Sequence, residues 1–155
     1  MAQALTRAYV EEFYRARLSR NAALIEPFLD DNVDWLIAGP IELLQFCGQR
    51  RGKADVLNTI VRLMPAVMHV VKVELESLLI DGDRAATFNR LTGMLCGTGR
   101  VISYHQAQFM LFRDGKIAEY HCLIDSLDAA EQVVGHPIAL LNAPNALGPS
   151  NRIAV

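Results

Sequence analysis

Four alternating segments fill most of the second half of this chain, and they restrict its fold more than any other feature. From Met68 onward the sequence runs through His69–Ile80, Arg84–Leu95, Val101–Phe112 and Lys116–Asp125. Short turn signals separate them: Asp81-Gly82-Asp83, the stretch Gly97 to Gly99, and Arg113-Asp114-Gly115. Glycine and aspartate tolerate the backbone angles of tight turns, and side chains two apart share a strand face. The pattern therefore predicts an antiparallel meander.

What precedes the meander reads as helix. Leu5, Tyr9, Phe13 and Ala16 recur at helical spacing, with Val10, Tyr14 and Leu18 beside that stripe and Arg7, Glu11, Arg15 and Arg17 as polar filling. A short helix is expected around Ala22 to Leu29, then a strand from Val33 to Ile37 and a mixed loop from Ile41 to Arg51. A third helix begins near Gly52 and runs to Leu63, with Pro65 as its stop. Leu127 to Val134 forms a last helix capped by Gly135. Helices first and sheet afterwards define an α+β class. A single domain is expected over residues 1–135, followed by an irregular tail, 136–155, interrupted by Pro137, Pro144 and Pro149.

Composition excludes several functions. Lys plus Arg number 15 against 17 Asp plus Glu, a formal charge of −2, which gives no general attraction for nucleic acid or anionic membrane. Arg7, Glu11 and Glu12 interrupt the N-terminus where an export signal needs an apolar run, so a cytoplasmic protein is expected. Cys47, Cys96 and Cys122 are widely spaced and form no CxxC pair. The four histidines form neither an HxxxH nor an HxH pair, so no metal and no cofactor are expected. Gly48-Gln-Arg-Arg-Gly52-Lys53 superficially looks like a phosphate loop. It is one residue short between its glycines, however, and Ala54 stands where a magnesium-binding hydroxyl is needed. No GxSxG elbow is present.

Several phrases carry a family resemblance: FYRARLSRN in the first helix, FLDDNVDW into the first strand, FCGQRRGKADVL into the third helix, and FRDGKIAEYHCLID at the end. Together, over Leu5 to Asp125, the chain resembles the nuclear transport factor 2-like superfamily, in the branch of ketosteroid isomerases and SnoaL-like polyketide cyclases. The resemblance implies a curved antiparallel sheet wrapped around the N-terminal helices as a cone, an apolar pocket at its mouth, and a homodimer. It implies that Tyr14 is the oxyanion tyrosine. It also places the family's oxyanion aspartate, or the cyclase base, at Gln108, and its proton-shuttling aspartate at Leu36. Leucine cannot move a proton, and glutamine is a permanent amide that can donate a hydrogen bond but not titrate.

Strand parity fills in the implied pocket. Tyr104, Gln106, Gln108, Met110 and Phe112 share one face of their strand, and Tyr120, Cys122 and Ile124 share the matching face of the next. Asp34 has the parity of Leu36 and is expected to point inward, as the surviving acid. Three functions follow. In the first, an isomerase, cyclase or lyase acts on an apolar carbonyl compound, with Asp34 as base and Tyr14 and Gln108 steadying an enolate oxygen. In the second, the same cone binds an apolar ligand without chemistry. A scaffold using the sheet face is a third. The opposite face, with His105, Ala107, Phe109, Leu111, Glu119, His121 and Leu123, is too apolar to face water alone. It is the expected homodimer surface, with Phe109 near its centre and Ile138, Leu140 and Leu141 of the tail extending it.

Overall fold

The computed structural model describes residues 4–139. Helix α1, Arg7–Ser19, opens it. The Thr6 side chain accepts from the Tyr9 amide and so takes up one of the free N–H groups of the first turn. Helix α2 (Ala22–Ile25) runs into a 3₁₀ turn over Glu26–Phe28 that leads into strand β1, Leu29–Ala38. The strand ends at Gly39, where a Cβ would lie 2.5 Å from the Ile124 side chain and 2.8 Å from Cys47 Sγ.

The meander forms as the turns require: β3 (Met68–Asp81), β4 (Arg84–Leu95), β5 (Val101–Arg113) and β6 (Lys116–Ile124), each antiparallel to the next. Two features lie outside the sequence expectation. The loop Ile41 to Arg51 contains a strand, β2 (Gly48–Arg51), antiparallel to β1. In turn β1 lies parallel to β6, which gives a six-stranded sheet ordered β2-β1-β6-β5-β4-β3.

Pro65 does not end the third helix. Helix α3 (Lys53–Asn58) widens into a π turn at Thr59–Leu63 and continues as α4 (Met64–Val67). Pro65 sits in the opening turn of α4, directly after the π turn, so the helix passes through the proline instead of stopping before it. Helix α5, Ser126–Val134, closes the described chain and stops at Gly135, whose φ of 85° suits glycine. Its Gln132 pairs with both backbone groups of Ser103, at 2.8 Å and 2.7 Å, and so docks the helix on β5. Leu140 and Leu141 lie outside the described residues.

The sheet's inner face and the helices enclose one core. It gathers Val10, Phe13, Ile25, Phe28, Trp35, Ile60, Tyr104, Ile117 and Tyr120. No helix among the described residues is long and apolar enough to cross a membrane.

Candidate functional site

Register decides which predicted residues meet. Tyr104, Gln106, Gln108, Met110, Phe112, Tyr120 and Cys122 are all buried on the inner face. Asp34 and Leu36 are not. Asp34 pairs with Glu119 and Leu36 with His121, whereas Trp35 pairs with Tyr120 and Ile37 with Cys122. Residues paired across a ladder share a face, so Trp35 and Ile37 point inward and Asp34 and Leu36 outward. Leu29, Val33, Trp35 and Ile37 are buried in one alternation along β1, so the even positions, Asp34 and Leu36 among them, fall on the other face. Asp34 is exposed and accepts a hydrogen bond from Gln49 on β2. It lines a groove of about 450 Å³ on the outer face, together with Leu36, Phe109, Glu119 and His121.

Inside, six polar side chains form a closed ring. Tyr14 reaches down from α1 and its hydroxyl donates to Gln108 Oε1. Gln108 Nε2 donates to Cys122 Sγ at 3.8 Å, and the Cys122 thiol donates to Gln106 Oε1 at 3.4 Å. Gln106 Nε2 donates to Asn89 Oδ1 at 2.8 Å, and Asn89 Nδ2 to Thr87 Oγ1 at 3.5 Å. Thr87 and Tyr14 complete the circle, their hydroxyl oxygens 2.7 Å apart. With Thr87 as the donor in that last link, every bond runs in the same sense, an arrangement in which each group polarises the next. The ring is built from cross-strand partners, Thr87 opposite Gln108, Asn89 opposite Gln106, and Gln108 opposite Cys122.

Burial sets the proton chemistry of this interior. It pushes the Tyr14 hydroxyl up to about 12 and the Cys122 thiol up to about 11, and it raises Tyr104 and Tyr120 as well. All four keep their protons near neutral pH. Among the described residues no Asp, Glu or His is buried, so the interior offers hydrogen-bond donors and no titrating base.

Beside the ring, the Trp35 and Tyr120 rings stack at 3.6 Å, and Arg17 from α1 donates to the Tyr120 hydroxyl at 2.6 Å. Tyr14 and Arg17 also line a cavity between α1, the helical segment 60–65 and strands β3 and β4, walled by Leu18, Ile60, Met64, Pro65, Met68, Val73 and Leu91.

Sequence reasoning missed Thr87, Asn89, Trp35 and Arg17. The signal was present: Ala85, Thr87, Asn89 and Leu91 alternate along β4, and Arg17 follows Phe13 by four and Tyr14 by three. The glycine-flanked cations, by contrast, largely hold structure. Lys53 pairs with Asp31 at 2.5 Å, and Arg50 bonds Thr59 Oγ1 at 3.1 Å and the Gln49 carbonyl at 2.8 Å. Among the described residues no cluster of three His, Cys, Asp or Glu could hold a metal ion.

A curved six-stranded sheet closed by helices over a partly polar interior is the nuclear transport factor 2-like fold. Residues 10–120 match the SnoaL-like domain, and the chain belongs to that family. It is similar to a protein of Rhodopseudomonas palustris assigned provisionally as an isomerase, with 31% identity, 85% of this chain and 100% of that one covered, and a TM-score of 0.78. At lower identity the fold alone is shared. An epoxide hydrolase of the LEH-like kind from M. tuberculosis is 16% identical over 83% of this chain and 88% of its own, with a TM-score of 0.67. A protein with a ketosteroid isomerase-like fold from Catenulispora acidiphila, solved with trimethylamine, is 14% identical over 86% and 96%, with a TM-score of 0.69. Among curated proteins none matches the chain.

Proposed function

We propose that the protein binds a small apolar molecule in the cavity beside α1 and holds one polar oxygen of it against the Tyr14–Gln108 end of the ring. One observation carries this reading: Tyr14 belongs both to the cavity wall and to the buried ring. Six polar side chains are an expensive filling for a core that apolar residues could pack, but they suit an oxygen that must be desolvated and still hydrogen-bonded. A carbonyl entering there accepts the Tyr14 proton in place of Gln108.

Proton transfer on such a carbonyl compound is the second reading, favoured by the likeness to the protein assigned as an isomerase. Binding without chemistry ranks first because Asp34 points away from the cavity. The test uses 2-tetralone and its hydrocarbon tetralin, with calorimetry for affinity and NMR in deuterated buffer for exchange at the carbons beside the carbonyl. The ketone is expected to bind about ten-fold more tightly than the hydrocarbon, a preference that Tyr14→Phe removes. Equal binding of the two would overturn the reading, and accelerated exchange would establish the enzymatic one.

The same reading includes a homodimer through the outer sheet face. Phe88, Phe109 and Leu123 are 42%, 53% and 48% exposed there, an apolar area that a second copy related by a two-fold axis would cover. Light scattering at micromolar concentration is expected to give a dimer for the native chain and a monomer for Phe109→Glu. A native monomer would remove this interface, and a dimer in both would move it elsewhere.

A further inference from the structure

Arg17 sits on the buried stripe of α1, yet its partners are neutral. Its guanidinium donates to a phenol oxygen, and its Cζ lies 5.6 Å from the centroids of both Trp35 and Tyr120. Those rings are stacked, so a point equidistant from both stands level with the gap between them, beside the ring edges. The attraction of a cation for a ring is strongest over the face, and Arg17 is placed for little of it.

Arg20 lines the same cavity. It contacts His69 Nδ1 at 3.2 Å and the Val70 carbonyl at 3.5 Å. Among the described residues neither arginine has a carboxylate partner, and no acid lines the cavity. Beside Arg17, the Trp35 Nε1 proton is buried with no acceptor among the described residues. Arg20 also has a φ of 57°, in the left-handed region, at the end of α1 where glycine is the less strained residue. A guanidinium with only neutral partners and a second one held in a strained backbone, both on the wall of one cavity, lack the same thing, an anion.

We propose that the cavity selects apolar molecules ending in a carboxylate, which Arg17 and Arg20 hold by charge-assisted hydrogen bonds. This rests on the binding reading above and narrows its ligand class. Entry of the apolar body requires wall side chains to move aside. The free space at the centre of the cavity is about 20 Å³, room for roughly one water, and the adaptable Met64 and Met68 line it.

The probes are 4-cyclohexylbutanoate and 4-cyclohexylbutanamide, which absorb little where tryptophan does. Trp35, the chain's single tryptophan, reports binding by fluorescence, with calorimetry for affinity. The acid is expected to bind at least about ten-fold more tightly than the amide. Arg17→Met is expected to abolish that preference with the amide's affinity unchanged. Because a buried substitution can disturb folding, Arg20→Gly provides the second variant. It relieves the strained φ, so it is expected to melt no lower than the native chain while losing several-fold affinity for the acid alone. Equal binding of acid and amide to the native chain leaves the cavity reading standing and overturns charge selection. A preference for the acid that survives both substitutions, or an equal loss of both probes, overturns it too. Failure of both probes to bind overturns the cavity reading along with it.

Discussion

Gln108→Leu is expected to destabilise the folded chain by about 2–4 kcal/mol, seen as a melting temperature roughly 5–15 °C lower. Leucine fills similar space, so the loss comes from the partners it strands. The Tyr14 hydroxyl loses its Gln108 acceptor, the Cys122 thiol loses a donor, and both groups are buried. Adding Tyr14→Phe to Gln108→Leu is expected to cost about 1–2 kcal/mol less than the two single losses together, because the stranded hydroxyl is then gone. Simple additivity would mean that the ring is not a coupled unit.

Gln108→Glu separates shape from charge at the same place. A protonated carboxyl donates and accepts much as the amide does, whereas a carboxylate there is desolvated and gives Cys122 no proton. Its pKa in the folded protein is therefore raised above the ordinary glutamate value of about 4.3. The sign follows from linkage: the folded state binds this proton more tightly, so stability is intact below about pH 4 and is lost as pH rises through the raised value. Urea midpoints of this variant are expected to fall between acid and neutral pH relative to the native chain. A difference that does not change with pH would place the introduced carboxyl in contact with water. Apolar sites hold carboxylic acids neutral in this way in ketosteroid isomerases.

Local pattern made the meander legible, and non-local pairing hid the rest. Turns such as Asp81-Gly82-Asp83 delimit β3 to β6 without help from distant residues, and parity then placed Gln106, Gln108 and Cys122 on the inner face. Strand β2 reads Gly-Gln-Arg-Arg, which has no strand signature. It exists because β1 offers it an edge, with Trp35 opposite Arg50. The helical stop assigned to Pro65 failed because a π turn precedes it, a feature that no residue announces. The inversion of β1 has a plainer lesson. Val33, Trp35 and Ile37 alternate as a buried face, and that simple periodicity gives the observed orientation, whereas counting a family's acid onto Leu36 reversed it. The ring's closure was beyond sequence, since it needs Thr87 and Asn89 opposite Gln108 and Gln106, and register between distant strands is a tertiary property.

Trp35→Ala is expected to cost about 3–5 kcal/mol, the range for deleting a fully buried large aromatic residue. Trp35 is fully buried, stacked on Tyr120 and edge-on to Phe13 at 6.5 Å between centroids. Its removal opens a void between α1 and β6 and leaves one side of Tyr120 without a neighbour. Trp35→Phe is the informative companion. Phenylalanine keeps an aromatic face against Tyr120 but fills less of the space. It also deletes the Nε1 proton, which is buried without an acceptor among the described residues. An unsatisfied buried N–H costs about 1–3 kcal/mol, comparable to the loss expected from the smaller ring. The two effects oppose each other, so Trp35→Phe is expected to lie within about 1 kcal/mol of the native chain while Trp35→Ala falls far below it. Chemical denaturation of both variants, followed by circular dichroism because the fluorophore is gone, measures the difference. A large loss in Trp35→Phe would show that the indole N–H has an acceptor in solution and would exclude it as a free donor beside Arg17.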